Sequence, residues 1–237
     1  MARKIKIDNA ILKRRAYKSG KRKIGNKKQR EYMLIICEGT KTEPNYFEAI
    51  KETFPKKVLE TYSIDVEGTG TSTLKIIEIA VELRKQARRL HNRIYDHVWT
   101  VFDRDSFPIV DFNNSIFKAQ SLDINCAWSN EAFELWYVLH FQYRNTPMSR
   151  EDYKKCIETE MKSSILKKTG KISSFKYAKN SREMYKLLKE YGDEKQAIKW
   201  AEALEKKFTD TNFSSHNPCT RVYKLIEKLN EIRSSNY

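Results

Sequence analysis

The stretch Tyr32-Met33-Leu34-Ile35-Ile36-Cys37-Glu38-Gly39 decides how the chain is read. Its apolar run from Tyr32 to Cys37 is too short for an ordinary helix and matches a strand buried on both faces, as in the interior of a parallel sheet. Glu38 ends the run with a charge and Gly39 permits a tight turn. Thr42 and Pro44 then supply a cap and a first-turn residue for a helix carrying Tyr46, Phe47 and Ile50. The unit reads as strand, acidic loop, helix.

Working outward, the same unit recurs. Tyr62 to Val66 reads as a second strand, and Gly68-Thr69-Gly70-Thr71-Ser72-Thr73 links it to a long helix. Leu74, Ile76, Ile77, Ala80 and Val81 mark that helix's buried side, and Arg84, Lys85, Arg88, Arg89 and Arg93 load its far end. His97 to Phe102 is a third strand that runs straight into Asp103-Arg104-Asp105. Phe112 to Gln120 reads as a helix and Asn125 to Trp128 as a fourth strand, with Ser129-Asn130 capping a helix that holds Phe133, Glu134, Trp136, Tyr137 and Phe141. Strands alternating with helices imply parallel pairing, so the expected fold class is α/β with a central parallel sheet.

Beyond Pro147 only helical patterns remain, at Tyr185 to Tyr191, Gln196 to Phe208 and Pro218 to Ile232, with a polar link between Lys167 and Lys176. Asn217 and Pro218 read as cap and first-turn residue of the last helix. The expected organisation is a basic arm over residues 1–30, an α/β domain over 31–146, and a helical region over 147–237 packed on it.

The whole chain has 237 residues with 46 Lys+Arg against 31 Asp+Glu, a formal net charge of +15. That charge is uneven: residues 1–30 hold 13 Lys+Arg and one acid, for +12, while 31–150 come to −3 and 151–237 to +6. A leading arm this basic is suited to phosphate backbones of RNA or DNA, without choosing a sequence. With 13 Tyr, 11 Phe and 4 Trp the chain has too many large apolar groups to be wholly disordered. No run approaches the ~18 apolar residues of a membrane span, and no leader with a small-residue cleavage site is visible, so a soluble cytoplasmic protein is expected. Cys37, Cys126, Cys156 and Cys219 are spaced for neither a zinc knuckle nor a disulfide scaffold.

Glu38 follows the first strand, and Asp103 and Asp105 follow the third. In parallel sheets, ligands collect beyond the carboxyl ends of the strands, so these acids are expected to converge across 65 residues of sequence. Unit charges ~4 Å apart repel by ~4 kcal/mol at an effective dielectric of 20, so such convergence calls for a cation. Oxygen-only ligands suit Mg²⁺ or Mn²⁺, and phosphoryl chemistry is the natural use. A D-x-D pair alone is weak evidence, since ten aspartates give roughly 0.4 matches by chance; position after an apolar strand is the stronger signal.

Glu38-Gly39 after one strand and the D-x-D after a later one resemble the Toprim domain of topoisomerases, bacterial primases and OLD-type nucleases. The wider pattern is similar to RloB-like proteins. It comprises the basic leader, Leu34 to Gly39 with Thr42-Glu43-Pro44-Asn45-Tyr46-Phe47, Asp103-Arg104-Asp105, Ser129-Asn130 with Phe133-Glu134-Leu135-Trp136 and His140-Phe141, and Asn217-Pro218 with Thr220. The resemblance implies a Mg²⁺-dependent, nuclease-like Toprim fold in prokaryotic defence loci, active in abortive infection and often beside an ATPase partner. It casts Glu38 as the Toprim glutamate and Asp103 and Asp105 as the metal-binding pair. Topoisomerases commonly extend the acids to D-x-D-x-D; here Phe107 stands in the third place, against strand passage.

Secondary candidates surround these acids. Glu134 lies in an apolar segment where an unpaired carboxylate is costly, which makes it a further active-site candidate. Asn130 and His140 are candidate substrate-binding residues, although Glu134 and His140 point about 120° apart on a helix and would not share one ion. Lys41 and Arg104, beside the acids, are candidate phosphate contacts or simple salt bridges. The Gly68–Ser72 link lacks an ATP-binding P-loop pattern and reads either as a phosphate-holding turn or as a plain strand-to-helix turn. Three functions remain open: a metal-dependent endonuclease acting on RNA or DNA, a non-catalytic nucleic-acid-binding or regulatory subunit beside an ATPase, and a primase-like nucleotidyl transferase.

Overall fold

A computed structural model describes residues 30–70, 73–104 and 108–234. The basic arm up to residue 29, Thr71 and Ser72 of the glycine-rich link, and Asp105 with Ser106 and Phe107 lie outside the described residues. Five strands form one sheet: β1 (Glu31–Cys37), β2 (Tyr62–Gly68), β3 (His97–Asp103), β4 (Asn125–Asn130) and β5 (Cys219–Thr220). They lie in the order β2-β1-β3-β4-β5. The first four pair in parallel, and β5 pairs antiparallel with β4.

The register explains why the first strand reads as an unbroken apolar run. β1 lies between β2 and β3, and helices pack on both faces of the sheet, so its side chains are buried on either side. Met33, Ile35 and Cys37 enter one core, while Leu34 and Ile36 enter the other. β3 divides likewise, with Trp99 and Val101 on the first side and Val98 and Phe102 on the second. This two-residue alternation makes a three-layer α/β sandwich.

On the second side pack α3 (Thr73–His91), through Ile76, Ile77 and Ala80, and α4 (Ile109–Ser121), through Phe112, Ile116 and Ala119. On the first side lie α1 (Thr42–Glu52), α2 (Lys56–Thr61), α5 (Glu134–Val138), α6 (Arg150–Thr169), α7 (Met184–Tyr191), α8 (Glu194–Glu205) and α9 (Val222–Ser234). Tyr46 sits at the centre of that layer. Its hydroxyl accepts from the Trp136 indole N–H at 2.8 Å, and its ring meets Phe47, Phe133, Tyr137 and Tyr185. Residues from α6 to α9, among them Tyr153, Met161, Leu188 and Leu225, belong to the same core as Ile35 and Tyr46.

Three local expectations are corrected. Ser129 and Asn130 end β4 instead of capping a helix, and the helix after them is confined to Glu134–Val138. The last helix begins at Val222, because Cys219 and Thr220 extend to pair with Asn130 and Ser129. A hydroxyl pair, Ser129 and Thr220 at 2.9 Å, closes that junction, and the Arg221 N–H continues it to the Trp128 carbonyl. A two-residue strand carries no alternation by which a sequence reader could find it. The polar link also starts later than expected. Ser149 caps α6 by accepting from the Asp152 N–H, and the helix continues to Thr169, where Gly170 at φ 70° ends it.

α3 runs back along the sheet, so its end lies at the amino edge of the strands. There Arg84 donates to the Leu122 carbonyl just before β4, and Arg93 pairs with Asp65 at 2.9 Å and stacks over Tyr32 at the start of β1. Lys85, Arg88 and Arg89 are exposed and form no ion pair among the described residues. No described helix is long and apolar enough to cross a membrane.

Candidate functional site

The strand order reverses between β1 and β3, since β2 lies on one side of β1 and β3 and β4 on the other. Doubly wound sheets of this order bind ligands at that reversal, beyond the carboxyl ends of the two strands. A cavity of about 220 Å³ lies there. Glu38 reaches it from the end of β1, Asp103 from the end of β3, and Glu134 from the first turn of α5 after β4. The expected convergence of Glu38 and Asp103 is direct: the Glu38 carboxylate accepts from the Asp103 backbone N–H at 3.2 Å.

Glu38 is held by its own backbone as well. Its N–H donates to the Val101 carbonyl, and its carbonyl accepts from the Gly70 N–H, while Thr69 donates to Cys37. The N–H groups of Thr69 and Gly70 are therefore spent on fixing the acidic loop, as in a plain turn. Gly68 is needed there because a Cβ would lie 2.8 Å from the Pro44 ring and 2.9 Å from the Gly39 carbonyl. Gly39 is needed for another reason, since a Cβ on it would collide with the carboxylate of Glu43.

Glu43, in the first turn of α1, is the fourth acid of the cavity, and sequence reasoning assigned it no role. Its place in Thr42-Glu43-Pro44-Asn45, five residues beyond Glu38, was the available signal. Two cations were also missed, Arg150 at the start of α6 and Lys179 beyond its end. They lie 47 and 76 residues past Asp103, and no spacing rule links them to it.

The other expected residues fall elsewhere. Lys41 is exposed and does not line the cavity, and Arg104 follows β3 with its N–H donating to the Ser129 carbonyl. Asn130 donates its side-chain amide to the Ser214 carbonyl at 2.9 Å. His140 is buried in the helical layer, with Nδ1 2.9 Å from the Trp136 carbonyl and its ring against the Trp136 indole. Burial holds its pKa down at about 4, as expected of an imidazole kept neutral by packing.

Electrostatics bind the four acids into one unit. Burial first, then the charges of Glu43 and Glu134, push the Asp103 carboxyl well above the usual range against the pull of Arg150. Burial and Glu134 likewise raise Glu43, opposed by its own backbone N–H, Arg150 and Lys179. Arg150 pairs with Asp103 Oδ2 at 3.2 Å, while Asp103 Oδ1 is buried and accepts no hydrogen bond among the described residues. Glu134 accepts from the Tyr177 hydroxyl at 2.9 Å, which fixes its carboxylate.

With all four acids ionised, the charge of the cavity is −4 + 2 = −2 from Glu38, Glu43, Asp103 and Glu134 against Arg150 and Lys179. A single divalent cation would balance it. The donors are hard carboxylate oxygens and one of them, Asp103 Oδ1, has no hydrogen-bond partner among the described residues, so the chemistry of the set suits Mg²⁺ or Mn²⁺. The acids do not form a ready-made cage: among the described residues no three His, Cys, Asp or Glu side chains stand together as a metal-holding group.

The crowding predicts a stability effect. Glu43→Gln removes a buried charge while keeping its shape, and in metal-free protein near pH 8 it should raise the melting midpoint by about 2–4 °C, or about 1 kcal/mol. Because the folded-state pKa of Glu43 lies above the unfolded one, its cost accumulates as pH rises from the unfolded value through the folded one. The difference from the native chain should therefore vanish near pH 4. Calorimetric scans at both pH values check this; a lower midpoint for Glu43→Gln at high pH would mean that the carboxylate is paired.

The architecture defines a Rossmann-like α/β protein with an acid-lined cavity at the switch point of its sheet. A protein-family model described as RloB-like protein matches residues 33–229, most of the chain, and the protein belongs to that family. Neither the curated proteins nor the solved structures contain a match to it.

Proposed function

We propose that the cavity hydrolyses phosphodiester bonds of RNA or DNA with the help of Mg²⁺ or Mn²⁺. The observation that carries this reading is the gathering of Glu38, Glu43, Asp103 and Glu134 around one cavity at the carboxyl edge of the sheet, with an excess of negative charge equal to one divalent ion. Glu38 and Asp103 would hold the cation, and Asp105 is a further ligand proposed from sequence. When bound, such an ion offsets charge on the phosphoryl oxygens and acidifies the attacking water. The chain's own part is to fix the acids. The Asp103 N–H orients Glu38, Tyr177 orients Glu134, and Arg150 pairs with Asp103 Oδ2. Asp103 Oδ1, without a hydrogen-bond partner among the described residues, and the raised Asp103 carboxyl support a site where metal would compete with protons.

The family setting adds a biological role to this reading: RNA or DNA cleavage, tRNA among the candidates, in prokaryotic antiviral defence, restrained until infection and coupled to an ATPase partner. The second reading is a non-catalytic nucleic-acid-binding or regulatory subunit of that ATPase. It draws on the lack of a ready-made metal cage among the described residues. Purified protein incubated with tRNA, single-stranded DNA and duplex DNA separates the two. Cleavage that needs Mg²⁺ or Mn²⁺ and stops with chelator is expected. Binding without cleavage in either metal, with the ATPase also present, would establish the second reading.

A further inference from the structure

Between Gly170 and α7 the chain forms a strap without helix or strand, and its Lys179 lines the cavity. It is fastened at four points. The Tyr177 N–H donates to Glu158 on α6, and the Tyr177 hydroxyl donates to Glu134. Thr42 Oγ1 donates to the Lys179 carbonyl at 2.9 Å, and the Asn45 amide donates to the Asn180 carbonyl at 3.0 Å. Thr42 and Asn45 flank Glu43 on the first turn of α1, so the segment that places an acid in the cavity also fixes the strap above it.

The strap's contribution to the cavity is Lys179. Its side chain is exposed and lies close enough to Glu43 to lower that carboxyl's pKa, yet it forms no ion pair among the described residues. A lysine that served only to offset the acids would lie against one of them, as Arg150 lies against Asp103. Lys179 instead stands at the mouth of a cavity whose interior is acidic, with its own carbonyl and that of Asn180 held by α1. Three donors on an ammonium held beside a candidate metal site suit a phosphate oxygen.

We propose that Lys179 is the phosphate-binding residue of this site, gripping a backbone phosphate of the bound strand, and that Thr42 and Asn45 are positioning residues that hold the strap for it. The proposal rests on the phosphodiesterase reading for the identity of its ligand, but its test is one of binding. The full-length protein is titrated against fluorescently labelled single-stranded oligonucleotides, RNA and DNA in separate arms, with Ca²⁺ in place of Mg²⁺ and over a range of salt. Lys179→Ala should weaken binding about tenfold and make the slope of log affinity against log salt shallower by about 0.7, the loss of one contact to a single strand. Lys179→Arg should keep the slope.

The double variant Thr42→Ala/Asn45→Ala should weaken binding in the native background and add nothing further to Lys179→Ala, with melting curves confirming that each variant folds. A native slope in Lys179→Ala, or no oligonucleotide binding by the native chain, overturns the proposal. Additive effects of the double variant overturn the positioning role. If the slope changes as expected but no metal supports cleavage, the phosphate contact stands and the hydrolytic reading falls; cleavage with an unaltered Lys179→Ala slope gives the reverse.

Discussion

Glu38→Gln should reduce metal-dependent cleavage by about a thousandfold, equivalent to about 4 kcal/mol in the barrier, with little change in stability. The substitution keeps the length of the side chain and leaves an amide oxygen to accept the Asp103 N–H, a contact of 3.2 Å. Only charge is lost, at the point where strand β1 delivers it. The cavity's balance changes from −2 to −1, so a divalent ion is no longer matched, and the proton-accepting capacity of the site falls with it. Asp103→Asn should reduce the rate as much but also release Arg150 from its partner, so it should differ from Glu38→Gln in stability. The two effects should not add, because both groups would hold one ion. Single-turnover rates with matched melting curves test this. Cleavage by Glu38→Gln within tenfold of the native rate would remove Glu38 from the chemistry.

A chain ending at residue 146 should fail to fold. The sequence suggests an α/β domain complete at that point with helices laid on it, but Tyr153, Ile157, Met161, Met184, Tyr185, Leu188, Leu204, Val222, Leu225, Ile226, Leu229 and Ile232 are buried in the same core as Met33, Ile35, Tyr46 and Trp136. Each such side chain contributes roughly 1.5–3 kcal/mol on burial, and a domain's whole net stability is only about 5–15 kcal/mol. Removing a dozen of them, together with β5, exceeds any margin. Circular dichroism and thermal melting of the truncated chain should show no cooperative transition. A sharp melt would establish 31–146 as an independent unit.

The fold was legible wherever burial had a period. β1 and β3 are covered on both faces, so their apolar runs stand out from the neighbouring loops, and α3 and α4 bury one stripe each. β5 was illegible because it is two residues long and owes its conformation to β4. In the site, Glu38 and Asp103 could be read because each directly follows an apolar strand, and Glu134 because its neighbours are apolar. Arg150 and Lys179 could not be read, since their proximity to the acids is created by α6 and the strap folding across the sheet. His140 misled for a physical reason: a histidine among aromatic residues looks the same in sequence whether it faces a ligand or, as here, packs on Trp136.

The cations at the end of α3, without ion pairs among the described residues, give this part of the molecule an electrical polarity along its strands. Lys85, Arg88 and Arg89 lie at the amino edge, and the acids lie at the carboxyl edge. On the proposed reading a polyanion would be attracted to the amino edge, a strand's length of roughly 20 Å from the acidic mouth. A mononucleotide cannot bridge that gap, whereas a duplex of roughly six base pairs can, at about 3.4 Å each. On the proposed reading, reach is then the first property for which this chain selects its substrates, ahead of any base.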